Sequence, residues 1–390
     1  MNIEGTCDAR FARVQEEFAE NFRSRGELGA AVHVTIEGRP VVDLWGGIAD
    51  HRSGAPWRAD TMAIIFSSTK GATALCAHVL AAMGKLDWEA PVARYWPEFA
   101  QAGKERIPVR YLLTHQSGLA GIDKPLPGQA IFDWDAMTSA LAAQAPLWPP
   151  GERHGYHAVT FGFLVGEVVR RISGLSLGRF FRESIAGPLG LDFWIGLPES
   201  EETRVAYVRM PPPRRQPSDF FRAMTRRGSL TWKAFMNPPG FVAGGHANAR
   251  QTHAAEIPSS NGITSARGLA GLYTALAHGG AARGLYLVGP AELHLMMETA
   301  VEGPDRVLLV LTRFSFGFMK STPGESSDRA VFGPNPEAFG HVGAGGSFGM
   351  ADPVARVAIG YVMNQLGHGI FLNDRGQRLI DAVYDCLGAS

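Results

Sequence analysis

The sequence places a serine and a lysine three residues apart, at Ser67 and Lys70, directly after an apolar run that ends at Phe66. Beyond Lys70, apolar residues recur with the spacing of one buried helix face, at Ala72, Leu75, Cys76, Val79, Leu80 and Met83. Positions three apart share a helix face, so the two side chains can touch. A serine hydroxyl needs a neighbouring base to act as a nucleophile, and burial lowers the pKa of an amine enough for it to serve as that base. The positive end of the helix dipole would also favour negative charge on Ser67.

This spacing is a weak signal by itself. An S-x-x-K match is expected about once by chance in a chain of ordinary composition. The alternative interpretation is a serine near a helix N-terminus and a lysine in solvent. Two further groups of residues bear on the choice between these interpretations.

Tyr156 is the first of these groups, in the segment Gly155-Tyr156-His157-Ala158. It follows the rigid turn at 148–151 and precedes a strongly apolar segment, so the phenol lies on a constrained turn and not within a helix. A tyrosine close to ammonium groups ionises more easily and can serve as a general base. Most loop tyrosines are packing residues, and the residues alone leave that alternative open.

The second group is the glycine-rich segment 341–349, which reads His341-Val342-Gly343-Ala344-Gly345-Gly346-Ser347-Phe348-Gly349. Glycines this dense weaken a strand unless something must approach the backbone closely. An oxyanion hole is such a case: a free N–H on an edge strand, paired with the N–H of Ser67, could bind a developing negative oxygen. The alternative is a glycine-rich bulged turn.

The composition indicates an ordinary globular protein without a charge bias. The chain has 390 residues, 45% hydrophobic and 19% charged, and its 37 basic and 37 acidic residues give a formal net charge of +0. This length can bury a large core or divide into two lobes. The balance of charge gives no electrostatic reason to expect nucleic acid or an acidic membrane as a partner.

The three cysteines, Cys7, Cys76 and Cys386, are odd in number, far apart and without a C-x-x-C pair. This pattern fits reduced thiols better than a disulfide framework. Residues 1–22 are polar and acidic, with no apolar stretch typical of a signal peptide or a membrane span. We therefore expect a cytoplasmic protein.

The order of the predicted elements indicates an α/β (α+β) fold with an antiparallel sheet flanked by helices. Helices are predicted at 8–23, 137–144, 159–172, 177–185, 265–279 and 370–387, and strands at 31–36, 40–45, 315–320, 339–343, 348–352 and 357–364. We expect residues 1–75 and 304–390 to form one α/β lobe and residues 76–303 a mainly helical lobe, with the site between them. The segment 204–241 is predicted to be irregular, and its length and aromatic content suit a lid or a binding wall.

Taken in order, Ser67-x-x-Lys70, Tyr156 and His341-Val342-Gly343 resemble the three motifs of the class C β-lactamase and penicillin-binding protein superfamily. Within it, the chain most resembles the family VIII carboxylesterases, serine esterases on a β-lactamase scaffold, over roughly residues 11–387. The similarity extends to the surrounding segments 112–119, Trp148-x-Pro150-Gly151, 261–267, Gly346-Ser347-Phe348-Gly349 and 360–364.

The resemblance implies roles for these residues. Ser67 would be the nucleophile, and Lys70 and Tyr156 would activate it and then the deacylating water. The backbone N–H groups of Ser67 and Ala344 would form the oxyanion hole, since Ala344 follows the glycine of the third motif. The residues expected to contact substrate are His157, His341, Gly343 and Gly345.

Two departures from the β-lactamase pattern indicate the type of substrate. The second motif of β-lactamases ends in an asparagine that binds the substrate amide, and here Ala158 takes that place. The third motif usually begins with a lysine that attracts a substrate carboxylate, and here it begins with His341, mostly neutral at its unperturbed pKa of about 6.5. Both changes disfavour charged β-lactams and peptides, and neither harms a neutral ester.

Other known site patterns are not matched. Gly345-Gly346-Ser347-Phe348-Gly349 fits the G-x-S-x-G elbow of α/β-hydrolases, but that motif needs a helix after it, and we expect a strand there. His154 and His157 lack the further ligands of a metal site. No G-x-G-x-x-G or P-loop pattern follows a strand, so we expect neither a metal nor another cofactor.

The sequence thus predicts a serine hydrolase that cleaves short-acyl carboxylic esters through an acyl-enzyme, with a small-molecule ester as its partner. The aromatic residues of 131–148 and 220–241 suggest an apolar acyl or alcohol pocket. The alternatives are a β-lactamase or D,D-peptidase, a hydrolase of small amides, an acyltransferase on the same site, and a catalytically inactive homologue that only binds.

Overall fold

The protein is described by a computed structural model over residues 2–211, 217–239, 246–322 and 331–388. The strands in chain order are β1 (Ile3–Cys7), β2 (Gly29–Ile36), β3 (Arg39–Asp50), β4 (Ala55–Pro56), β5 (Ala63–Ile64), β6 (Phe193–Trp194), β7 (Ile263–Thr264), β8 (Ala281–Ala282), β9 (Leu285–Tyr286), β10 (Val301–Pro304), β11 (Leu311–Phe314), β12 (Met319–Lys320), β13 (Phe339–Val342), β14 (Phe348–Asp352) and β15 (Val357–Met363).

The α-helices are α1 (Ala12–Ser24), α2 (Thr69–Ala82), α3 (Arg110–Leu113), α4 (Trp134–Ala143), α5 (Thr160–Ser173), α6 (Leu177–Phe181), α7 (Asp219–Thr225), α8 (Leu230–Met236), α9 (Arg250–Ala254), α10 (Ala266–Ala277), α11 (Pro290–Met297) and α12 (Asp374–Leu387). None of the helices in the described ranges is long and apolar enough to cross a bilayer.

The large sheet joins the two ends of the chain. Its strand order is β1-β3-β2-β15-β14-β13-β12-β11-β10, with antiparallel neighbours, and β4 pairs with the end of β3 outside this order. The N-terminal hairpin of β2 and β3 is joined to the C-terminal strands because β2 pairs with β15, with Val34 opposite Ile359. The predicted class, an antiparallel sheet flanked by helices, is therefore confirmed.

Two glycines let α10 lie directly on the sheet. A Cβ at Gly349 of β14 would lie 2.3 Å from the ring of Tyr273, and one at Gly360 of β15 would lie 2.5 Å from the backbone nitrogen of Ala270. Adjacent strand residues point to opposite faces, and Phe348, next to Gly349, accordingly faces Gly376 of α12. Helices α10 and α12 thus cover opposite faces of the central strands.

The helix α2 runs through the interior. Residues 69–80 are all buried, so α2 is surrounded by protein and not merely amphipathic. The short strand β5 leads into it and pairs with β7, and a 3₁₀ turn at Phe66–Ser68 separates β5 from α2. The helix is followed by Gly84 with φ +69°, a left-handed conformation typical of a residue just past a helix C-terminus. Cys76 is buried within it, as predicted.

Most predicted elements are confirmed within a few residues, and the differences have local causes. The segment 204–241 contains α7 and α8, each capped by a serine side chain, at Ser218 and Ser229; its residues 212–216 and 240–241 lie outside the described residues. The strand predicted at 315–320 is reduced to β12 because the chain turns at Gly317, with φ +89°. The last helix begins at Asp374 because Asn373 caps it. The sequence interpretation missed the edge strand β1 and the helix α11.

The division into lobes at 1–75 with 304–390 and at 76–303 stays a prediction. Helix α10 falls within the range assigned to the helical lobe, yet it packs on β14 and β15. The sheet also includes β10, which begins at Val301.

Replacing Gly360 with alanine should lower the free energy of unfolding by about 1–3 kcal/mol, because the added methyl overpacks the contact with α10. Urea denaturation of the two proteins measures the difference. Gly289→Ala is the matched control, since its Cβ would approach only the exposed side chain of Tyr286; it should cost less than about 1 kcal/mol. Unchanged stability of Gly360→Ala would contradict the close packing.

Candidate active site

Ser67 lies on the tight turn that precedes α2. Phe66 before it has φ +46°, a left-handed conformation that is uncommon for a bulky residue. The turn is tied to the glycine-rich segment, because the hydroxyl of Ser68 lies 3.2 Å from the carbonyl oxygens of both His341 and Ser347. The Ser347 hydroxyl donates in return to the carbonyl of Ile65 at 3.0 Å. The first and third sequence motifs are thus held against each other.

The amine of Lys70 is surrounded by oxygen atoms and has no anionic partner among the described residues. Its Nζ lies 3.2 Å from Ser67 Oγ, 2.8 Å from the carbonyl oxygen of Ala158 and 3.0 Å from that of Ser259. Two carbonyls can accept the two hydrogens of a neutral amine, and its lone pair is then left for the Ser67 hydroxyl. The structure therefore brings the predicted nucleophile and base into contact.

Burial determines the protonation state of Lys70. The side chain is fully buried, and loss of hydration lowers its pKa well below the ordinary lysine value. Because a carbonyl dipole compensates a positive charge less well than a carboxylate does, the neutral amine is favoured. A neutral amine next to a serine hydroxyl is equipped to accept its proton.

The carbonyl of Ser259 is positioned by Asn261, a residue of one of the sequence segments noted above. The Asn261 side chain accepts from the backbone N–H of Ile257 at 2.9 Å and donates to the carbonyls of Thr252 and Ala255. These bonds fix the turn at 257–261. The turn then presents the Ser259 oxygen to Lys70.

Tyr156 lies beside this pair and is 2% exposed. The Lys70 Nζ is 4.6 Å from the centroid of its ring. Burial raises the pKa of Tyr156 far above that of an ordinary phenol, and the neighbouring Ser67 hydroxyl acts in the opposite direction. Its own hydroxyl has no hydrogen-bond partner within the described part of the chain. The phenol is thus protonated at neutral pH and available to a ligand.

The backbone around Tyr156 is held by Asp305, which the sequence interpretation missed, and by His115, which lies in the segment 112–119 noted there without a role. The carboxylate of Asp305 accepts from the Tyr156 N–H at 3.1 Å and from the N–H groups of Val307 and Leu308 at 2.8 Å. His115 accepts at its carbonyl from Gly155 and at Nδ1 from the N–H of His157. Asp305 lies far along the chain in an irregular segment, so no sequence pattern pointed to it.

The N–H groups of Ser67 and Ala344 have no hydrogen-bond acceptor among the described residues, and both residues line one cavity. The expectation that the N–H of Ala344 lies on an edge strand was wrong, because the strand before it, β13, is inside the sheet between β12 and β14. The amide is free because Ala344 follows the end of β13, where pairing stops. Two unpaired amides at one cavity are the arrangement that an oxyanion requires.

The residues expected to contact substrate differ in their surroundings. Gly345 lines the cavity, whereas Gly343 packs against the Ile65 carbonyl, which a Cβ would meet at 2.1 Å. His341 is buried, which lowers its pKa to about 3, and its Nε2 has no partner in the described ranges. His157 has both ring nitrogens engaged, with Ser117 and with the Gly155 carbonyl, so this geometry gives its predicted substrate contact no support.

The cavity next to Ser67 is apolar, with a volume of about 180 Å³. Its lining among the described residues contains no lysine, arginine, aspartate or glutamate. Of the two predicted aromatic stretches, 220–241 contributes Phe220, Phe221 and Phe235, while 131–148 contributes none of the lining residues. The G-x-S-x-G alternative fails, because Ser347 leads into β14 and not into a helix.

Comparisons with known proteins identify the family of this chain. The Beta-lactamase family model matches residues 11–382. The chain is 38% identical over 375 residues to "Esterase/beta-lactamase LipL" of Mycobacterium tuberculosis, covering 95% of this chain and 85% of that protein.

Two solved structures share the fold over nearly all of both chains. A penicillin-binding protein homologue from Caulobacter crescentus is 42% identical with a TM-score of 0.90, and a family VIII carboxylesterase is 42% identical with a TM-score of 0.89. Each alignment covers 99% of this chain and 100% of the other. The chain therefore belongs to the Beta-lactamase family of serine hydrolases, and the resemblance to family VIII carboxylesterases predicted from its motifs is confirmed.

Proposed function

We propose that the protein is a serine carboxylesterase that hydrolyses short-acyl esters of uncharged substrates through an acyl-enzyme on Ser67. The observation that carries this proposal is the contact between Lys70 and Ser67, in which a buried amine without an anionic partner lies 3.2 Å from the hydroxyl. The relatives named as esterases support the same reaction.

The acylation step follows from these positions. Ser67 Oγ attacks the ester carbonyl while its proton passes to the Lys70 amine, and the new oxyanion accepts hydrogen bonds from the N–H groups of Ser67 and Ala344. When the bond from carbon to the alcohol oxygen breaks, the Tyr156 hydroxyl donates a proton to the leaving alkoxide. Lys70 then returns its proton to Tyr156, which leaves the acyl-enzyme and a neutral base.

Deacylation uses the same groups with water in place of the alcohol. A water molecule gives its proton to the base pair, its oxygen attacks the acyl carbon, and the tetrahedral charge rests again on the two amides. Collapse breaks the bond to Ser67 Oγ, which recovers its proton. The carboxylic acid then leaves.

The apolar cavity supports the choice of an uncharged ester. Ala158 offers no side-chain amide to a peptide or β-lactam, and His341 is neutral where a cation would be needed for a substrate carboxylate. The described cavity lining has no lysine, arginine, aspartate or glutamate to offset the hydration that a charged substrate would lose.

A panel of p-nitrophenyl esters should show hydrolysis with short acyl chains preferred, and Ser67→Ala should be inert because it lacks the attacking oxygen. A phosphonate probe followed by intact-mass measurement should give one adduct, absent in Ser67→Ala. Ser173→Ala, which removes a hydroxyl at the end of α5, should match wild type. Strong cleavage of a chromogenic cephalosporin or a D-Ala-D-Ala peptide without esterase activity would overturn the proposal.

The rate should depend on pH through Lys70. Because burial lowers the pKa of Lys70, the active neutral amine extends to lower pH than for an ordinary lysine, and kcat/KM should fall as acidification protonates it. Lys70→Arg keeps a cation that does not deprotonate, so its rate should drop by about 10²–10⁴-fold at every pH. A Lys70→Arg enzyme that kept a tenth of the activity would show that Lys70 is not the base.

The cavity wall should set the preferred acyl length. Phe221→Ala enlarges the cavity and should raise the ratio of kcat/KM for hexanoate over acetate by about 10-fold, within the range of hydrophobic-pocket discrimination. Phe132→Ala is the matched control, because Phe132 belongs to the aromatic stretch that does not line the cavity, and its ratio should stay at the wild-type value. Identical ratios in both variants would mean that the acyl chain binds elsewhere.

A further inference from the structure

We propose that Asn373 is a positioning residue that orients the oxyanion loop, defined here as residues 343–347, through the carbonyl group of Gly345. The inference rests on the proposed function, because the oxyanion forms only when Ser67 attacks a carbonyl group. Asn373 itself does not line the cavity beside Ser67. It adds a determinant of transition-state binding that no motif in the sequence indicates.

The contacts of Gly345 are dense for a loop glycine. Its carbonyl oxygen accepts from Asn373 Nδ2 at 2.9 Å and from the Gly367 N–H at 2.9 Å, and one nitrogen of Arg375 lies 3.4 Å away. Its own N–H donates to the carbonyl of Gly369 at 3.2 Å. Of the groups around that carbonyl, Asn373 provides the shortest side-chain hydrogen bond.

The loop needs such a restraint because of its composition. Gly345 and Gly346 have φ values of +88° and +118°, conformations that glycine reaches without a steric penalty and leaves as easily. The free N–H of Ala344 is immediately before them. Rotation at Gly345 would therefore change the direction in which that N–H points, and hydrogen bonds to an oxyanion weaken steeply with misalignment.

Asn373 is itself held in a fixed orientation. It is the N-cap of α12, and its Oδ1 accepts from the N–H of Gly376 at 3.3 Å. With Oδ1 facing the helix, Nδ2 must face the loop. A Cβ on Gly346 would lie 2.3 Å from Nδ2, which shows how closely the amide is packed against the loop.

The start of α12 is anchored in turn by a buried ion pair. Arg375 contacts the Glu27 carboxylate at 2.7 Å and the carbonyl of Gln365 at 2.8 Å. Glu27 also accepts from the hydroxyl of Tyr361 on β15. The helix that carries Asn373 is thus tied to the sheet, so Asn373 holds the loop from a rigid support.

A residue that only orients an oxyanion donor should affect the transition state and leave ground-state binding unchanged. Removal of one such donor costs about 10²–10³-fold in kcat, and misalignment should cost less than removal. We therefore expect a loss of about 10- to 100-fold in kcat with KM within about twofold.

The test uses Asn373→Asp, which keeps the size and the capping oxygen but replaces the Nδ2 donor with an oxygen that repels the Gly345 carbonyl. Steady-state kinetics are measured on a p-nitrophenyl ester. In parallel, inhibition is measured with a trifluoromethyl ketone, whose adduct with Ser67 carries an oxyanion, and with the matched methyl ketone, which binds without forming it. The affinity for the trifluoromethyl ketone should weaken by the same factor as kcat, and the affinity for the methyl ketone should not change.

Asp133→Ala is the control for a lost helix cap, because Asp133 caps α4 by accepting from Ala136 at 3.0 Å, outside the cavity lining. It should keep wild-type kinetics and both inhibition constants. If Asn373→Asp does not fold, Asn373→Ser, which can still cap but is too short to reach Gly345, replaces it in the same comparison.

The outcomes separate the two proposals. Unchanged kcat and an unchanged ratio of the two ketone affinities in a folded Asn373 variant would refute the positioning role. An equal loss of affinity for both ketones would also refute the positioning role, since that pattern indicates general damage to the site. A wild-type protein that forms the ketone adduct but hydrolyses no ester would refute the esterase, while the ketone ratio would still report on Asn373.

Discussion

The structure depends on one energetic constraint, a lysine amine that is buried without a carboxylate to compensate it. Lys70 contacts a hydroxyl and two carbonyl oxygens, and these groups cannot stabilise a full positive charge as an anion would. The buried position of α2 imposes this on Lys70, because the helix is enclosed by protein along most of its length. A protein that placed an aspartate here would gain stability for the charged form and lose its base.

Burial also favours the uncharged forms of the side chains around the reacting centre. Tyr156 is kept protonated by burial, and His341 is kept neutral in the same way. The buried carboxylate of Asp305 accepts hydrogen bonds from the backbone N–H groups of Tyr156, Val307 and Leu308. The site thus contains a protonated phenol and an amine whose pKa is lowered, beside a cavity whose described lining has no lysine, arginine, aspartate or glutamate. This combination is suited to proton transfer without strong binding of ions.

The sequence could predict the parts of this site that are local. Ser67 and Lys70 are one helical turn apart, so their contact follows from helix geometry, and Tyr156 and Ala344 were found through the resemblance to a known family. The roles of Asp305 and Asn373 could not be found in this way, because each reaches the site through a backbone group distant in sequence, the N–H of Tyr156 and the carbonyl of Gly345, and such contacts leave no trace in residue type. The edge-strand expectation for β13 failed for a related reason, since strand order is decided by pairings across the whole chain. Helices α7 and α8 were missed because each spans only two turns.

The pairing of β2 with β15 has a consequence for biosynthesis. The hairpin of β2 and β3 is made early by the ribosome, but the strand that covers its inner edge lies more than 300 residues further along the chain. Translation at about 5–20 residues per second leaves that apolar edge without its neighbour for roughly 15–60 s. An uncovered strand edge is a template for association with other chains. We therefore expect the exposed edge of β2 in the nascent chain to be covered by chaperones or by transient intramolecular contacts until the last eighth of the chain has been synthesised.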